Sequence, residues 1–110
     1  MRKAVVIGFD ESIEVLDLDA PEGSLKVLQD AVDGWVQVVD LAPKLSIWVN
    51  EEGKMNGLPY NGKATAIYQE RFGMVDIIVG NAVLTGGTDE EGETIGLTDE
   101  QVARIQRLFA

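Results

Sequence analysis

The residues best suited to chemistry stand in two nearly identical stretches, "NEEGKMNGL" at 50–58 and "DEEGETIGL" at 89–97. Each reads Asn or Asp, then Glu-Glu-Gly, three variable residues and Gly-Leu. Carboxylates at alternate positions are the donor set of a calcium loop, whose sharp turn also needs glycine at the sixth position. Asp89, Glu91 and Glu93 alternate, but Thr94 holds that sixth position. In the first copy Lys54 stands among the donors, where its charge repels a cation. Neither stretch qualifies as a metal site. Both lie between an expected strand and an expected helix, and Glu-Glu-Gly supplies a turn whose glycine can take positive φ. The two copies therefore read as one strand–turn–helix device used twice. Paired ligand loops are the competing reading.

A second chemistry is recognition. The stretch "WVNEEGKMNGLPYNGKAT" (48–65) gathers Trp48, Asn50, Asn56, Tyr60 and Asn61 around glycine and proline. Asparagine offers donor and acceptor together, and tryptophan or tyrosine offers flat contact area, so these five are the candidate partner-binding residues. The plainer alternative makes the asparagines turn and cap residues and packs Trp48 and Tyr60 into the fold. "GNAVLTGG" (80–87) is rich in glycine but lacks the Lys-Ser/Thr of a phosphate loop, so it reads as structural.

Composition narrows the function classes. The chain has neither cysteine nor histidine. Disulfides, thiolate metal sites, a cysteine nucleophile and a Ser-His-Asp arrangement are thereby excluded, and the commonest general base is missing. No catalytic pair of carboxylates, lysine or tyrosine stands at a recognisable spacing. The expectation is a protein without enzymatic activity, metal or cofactor.

The formal net charge is −10, from nineteen acids against nine bases in 110 residues. Such a balance disfavours binding nucleic acid by charge attraction. The acids concentrate in 10–33 and 89–100. They read as solvated loops, or else as an acidic face for a basic partner or a DNA-gripping protein. No run approaches the ~20 apolar residues of a membrane span. "AVVIGFD" after Met1-Arg2-Lys3 is broken by Gly8 and Asp10, too soon for a signal peptide, so the expected compartment is the cytoplasm.

The elements that must position these residues follow from apolar spacing. Strands are expected at 3–9, 13–18, 35–42, 45–50 and 75–84, with the third and fourth forming an antiparallel pair across Pro43-Lys44. A first helix is expected from a Ser24 cap to Gly34, with Leu25, Leu28 and Val32 inward. A second begins near Asn61, carries Ala64, Ile67, Tyr68 and Arg71 on one stripe, and stops at Gly73. Gly80 marks a bulge or a close backbone approach. The third helix has the clearest start, a Thr98/Gln101 capping box with Leu97 and Val102 as hydrophobic staple. This pattern describes a single α+β domain over 1–110, a mostly antiparallel sheet of about five to six strands with three helices.

The order strand, "NEEGKMNGLPYN", helix, "DIIVGNAVLTG" resembles an uncharacterised family of bacteriophages and bacteria, domain of unknown function 3846. Asn50, Glu51, Gly53, Leu58, Pro59, Asn61, Ala64 and Gly80 carry the resemblance, which runs from about Trp35 to Thr98. Most of these are turn, cap and core types, so it implies a fold and an origin rather than a site. With the missing histidine and cysteine and the acidic surface, it implies a small phage accessory protein that binds a host macromolecule, a protein above all, in the host cytosol. One alternative is an acidic DNA mimic that blocks a restriction or repair enzyme. Another is a small-ligand, nucleotide-binding protein, which would require Lys54, Lys63 and Arg71 to gather against the surrounding acids.

Overall fold

The computed structural model describes residues 1–109, which form five strands and three helices. In chain order these are β1 (Lys3–Ile7), β2 (Ile13–Asp17), α1 (Ser24–Val32), β3 (Val36–Ala42), β4 (Leu45–Asn50), α2 (Gly62–Phe72), β5 (Ala82–Thr85) and α3 (Asp99–Leu108). The strands make one sheet in the order β2-β1-β5-β4-β3, with every neighbouring pair antiparallel. The expected α+β architecture is therefore the observed one.

Side chains alternate across a strand, so each strand serves two faces. Val5, Ile7, Ile47, Ala82 and Leu84 point to one face, where Ala64 of α2 and Val102 and Ile105 of α3 pack on them. Ala4 and Val83 point to the other, where Val27, Leu28 and Val32 of α1 cover them. The sheet is thus a filled layer between helices. This explains why β1 and β5 are apolar at almost every position: both of their faces are buried. Each fully buried Ile, Leu or Val contributes roughly 1.5–3 kcal/mol over leaving it exposed.

The elements end for identifiable reasons. Thr98 Oγ1 accepts the Gln101 amide at 3.0 Å, and Gln101 Oε1 accepts the Thr98 amide at 2.9 Å, completing the capping box of α3. Leu97 and Val102 are both buried beside it. Asn61 caps α2, which stops at Gly73 as its spacing predicts.

Three expectations are corrected. Ser24 is the first helical residue of α1 rather than its cap; Gly23, at φ 91, leads the chain in without a side-chain bond. Leu25 is exposed, and Val27 takes its place in the core. The strand expected at 75–84 is only Ala82–Thr85. Its first half has the right apolar residues, but its backbone is engaged elsewhere. The Ile78 amide donates to Thr65 Oγ1 at 2.8 Å, and its carbonyl accepts the Asn61 amide at 2.9 Å. Local bonds to α2 outcompete the ladder.

Replacing Thr98 by alanine removes one cap bond and half of the box, so Thr98→Ala should lower stability by about 1 kcal/mol. Chemical denaturation of both proteins measures this directly, and an unchanged midpoint would refute the cap.

Candidate functional site

The turn after β4 is built on side chains that bind their own backbone. Asn50 Oδ1 accepts the Glu52 amide at 2.8 Å. Its Nδ2 donates to the Val32 and Asp33 carbonyls at 3.1 and 3.2 Å, closing the C-terminal end of α1. Asp89 opens the second copy in the same way, its Oδ1 accepting the Glu91 and Glu93 amides at 2.9 Å each. The two copies share this turn and then part. After Gly92 (φ 81) the chain returns antiparallel, Thr94 bridging to Thr88. After Gly53 it coils, with the Leu58 amide donating to the Gly53 carbonyl. The first copy follows β4 and the second follows β5, which are antiparallel neighbours, so the copies leave the sheet at opposite ends. They do not form a paired ligand site. Among the described residues, no group of three or more acids is placed to hold a metal ion.

Asn61 is 1% exposed and every polar group it has is engaged. Nδ2 donates to the Ile7 carbonyl at 2.9 Å and to the Gly80 carbonyl at 2.8 Å. Oδ1 accepts the Ala64 amide at 3.1 Å. Gly80 belongs to the same joint: its φ is 72, and a Cβ there would lie 2.8 Å from Leu58 Cδ1, so the close approach read from the sequence is real. Trp48 is half-buried on the α1 side of the sheet, its Nε1 donating to Thr85 Oγ1 at 2.9 Å. Trp48, Asn50 and Asn61 are accordingly parts of the frame.

Asn56 and Tyr60 face solvent, and Tyr60 is 57% exposed. The structure adds to them four apolar side chains that the sequence reading did not place at a site. Met55 is 83% exposed and Met74 89%, with Val75 and Ile77 also open. Met55 sits on the coiled turn, whereas the other three sit on the segment that returns from α2 toward β5. Three contacts join these segments: the Lys54–Asp76 ion pair, a backbone bridge between Tyr60 and Val79, and a bond from the Gly80 amide to the Pro59 carbonyl at 2.7 Å. Met55, Tyr68 and Ile77 line one recess of about 350 Å³ between the turn and the return segment. The missed signal was the apolar run directly behind the stop glycine, "GMVDIIV" (73–79). Its helix-proximal half cannot join the sheet and is left outside.

The acidic segments are also brought near each other. Arg2 Nε pairs with Asp19 Oδ1 at 2.6 Å while its Nη1 donates to the Thr94 carbonyl at 2.8 Å, and Lys3 Nζ pairs with Asp99 at 2.8 Å. Hydrogen bonds from Arg2 hold the Asp19 carboxyl below its ordinary range, and the bond from Lys3 does the same for Asp99.

The chain as a whole, residues 1–110, matches the family model described as Domain of unknown function (DUF3846). It belongs to that family. No curated protein and no solved structure matches it. The DUF3846 match extends beyond 35–98 and takes in β1, β2, α1 and α3. No helix among the described residues is long and apolar enough to cross a membrane.

Two predictions follow from this frame. Asn61→Asp keeps the cap acceptor but replaces a donor by a charge facing two carbonyls. It should lose about 3 kcal/mol or more, well beyond a lost cap, in denaturant unfolding. The Lys54 ammonium and then the Ile77 amide hold the Asp76 carboxyl below its ordinary 3.8. A carboxyl depressed by folding stabilises above its unfolded pKa, and that contribution is lost as pH falls through the folded one. The stability gap between the protein and Asp76→Asn should therefore be open at neutral pH and close below about pH 4. A gap that does not vary with pH would exclude the pair as its source.

Proposed function

We propose that this DUF3846 protein is a non-enzymatic accessory protein, of phage origin, that binds a host protein in the cytoplasm through the turn after β4 and the segment after α2. The observation that carries the proposal is the exposure of Met55, Tyr60, Met74, Val75 and Ile77 on two segments tied to one another and to a rigid joint. Isolated apolar residues on a surface need no explanation, but a cluster marks an interaction site. Methionine is a flexible, polarisable contact that adapts to a partner's shape, and tyrosine is a frequent anchor of binding energy. Asn56 lies in the same turn and supplies an amide to the contact. The frame residues Asn50 and Asn61 serve binding by fixing this geometry before a partner arrives, which lowers the entropic cost of association.

An acidic DNA mimic is the second reading, favoured by the meeting of the 10–33 and 89–100 segments around Arg2 and Lys3. The same contacts weigh against it, since Asp19 and Asp99 are bound to cations of the chain itself. The readings separate cleanly. Carboxylates on exposed loops mainly set encounter rates and salt dependence, whereas buried aromatic and apolar contacts set the dissociation rate.

Once a partner is captured from host lysate, Tyr60→Ala and Met55→Ser should each weaken its binding by about tenfold, little altered by salt. A variant with Asp89, Glu90, Glu91 and Glu93 all changed to neutral amides should bind nearly as the parent does. Loss of binding in the neutralised variant, with Tyr60→Ala unaffected, would replace this proposal by the mimic.

A further inference from the structure

A groove in a different part of the molecule combines an apolar lining with arginines. It measures about 780 Å³ and lies between α2 and α3 on the sheet face those helices cover. Its floor is Leu41, Leu84 and Ile105, and Leu45, Ile67 and Leu108 extend the apolar lining. Leu108 is 62% exposed. The volume lies within the roughly 300–1,000 Å³ usual for small-molecule sites.

The rim is basic in a protein that is otherwise strongly acidic. Arg71, Arg104 and Arg107 line the groove, three of the four arginines in the chain. Of the six other cations, Arg2, Lys3, Lys26 and Lys54 are paired with Asp19, Asp99, Asp30 and Asp76, Lys63 donates to the Glu11 carbonyl, and Lys44 makes no ion pair among the described residues. Among the described residues the three groove arginines make no ion pair, not even with Glu70, the single carboxylate of the lining. Helical spacing sets this up. Gln101, Arg104, Ile105 and Leu108 recur at three and four residues, so one stripe of α3 presents cation and hydrocarbon together. On α2, Arg71 lies over the Phe72 ring, its guanidinium carbon 4.9 Å from the centroid.

We propose that this groove binds a small amphiphilic anion, an acyl carboxylate or its chemical equivalent. The hydrocarbon lies on the leucine and isoleucine floor, and the acidic head is held by the arginines. Guanidinium presents a planar fork that fits a carboxylate in a bidentate pair. The net charge of −10 selects the size of the ligand. A nucleic acid or an acidic peptide would set many negative charges against the acidic surface as a whole. A monoanion meets chiefly the local field, because charges beyond a Debye length of about 10 Å are screened at ordinary salt.

The test titrates the full chain with dodecanoate below its micelle concentration, followed by calorimetry. Dodecyltrimethylammonium, acetate and an acidic amphipathic peptide serve as comparison probes. Dodecanoate should bind at one site, and the cation of equal chain length and acetate should both fail. The double variant Arg104→Gln/Arg107→Gln should weaken dodecanoate by about tenfold or more, through loss of charge-assisted hydrogen bonds. Leu108→Glu, at an exposed position that folding tolerates, should weaken it similarly by placing a negative charge on the lining. Tyr60→Ala should bind dodecanoate as the parent does, which keeps this site separate from the protein-binding surface. Equal binding of the cationic chain, undiminished binding in both groove variants, or binding of the peptide but not dodecanoate would each overturn the proposal.

Discussion

One buried side chain ties the fold together. The Asn61 amide holds the end of β1 at Ile7, the approach to β5 at Gly80 and the start of α2 at Ala64, all through a single planar group. Water cannot substitute there, since the residue is almost wholly enclosed. The carbonyls of Ile7 and Gly80 both accept from its Nδ2, and a buried acceptor without a donor costs about 1–3 kcal/mol. This one amide therefore fixes where α2 begins. The course of α2 fixes where its return segment runs, and so which residues remain outside.

Charge is distributed by the same economy. The aspartates nearest the N-terminal end of β1 are held by Arg2 and Lys3, and Asp76 by Lys54, each through a short contact. Glutamates on the 89–97 hairpin stay solvated, and its Asp89 is turned inward onto backbone amides. Of the five cations without an ion pair among the described residues, Lys63, Arg71, Arg104 and Arg107 lie on α2 and α3, and Lys44 lies in the β3–β4 turn. A chain this acidic has an inhomogeneous field, and its local sign can oppose its net sign.

Much of the frame was legible in the sequence because its signals are local. The capping box of α3, the stop at Gly73 and the β3–β4 hairpin all depend on neighbours in the chain, and all are present. The α2 cap was legible for the same reason. The α1 start was misread locally, at Gly23 and Ser24, whereas the strand at 75–84 was misread because a group remote in sequence decided the outcome. "VDIIV" has strand composition, yet Thr65 and Asn61 take the hydrogen bonds of Ile78, and no spacing rule reveals that competition. Asn61 itself was legible as a cap but not as a bridge, because Ile7 and Gly80 are remote from it in sequence. Among the candidate surface residues, Asn56 and Tyr60 are open while Trp48, Asn50 and Asn61 are built into the frame. Residue type alone does not distinguish an asparagine that offers its amide from one that has spent it.

The strand order has a consequence for how the molecule comes into being. β1 is made first, yet its inner neighbour is β5, and Val5 pairs with Leu84. During synthesis the first hairpin presents an apolar strand with one edge unpaired until β5 has been made. Non-local pairing of this kind is slow, because a long loop must close before any contact rewards it. Through that interval β1 is a template for any other strand that meets it, the hazard that exposed edges carry. Each nascent molecule thus passes through a stage in which an unpaired apolar edge is open to its siblings.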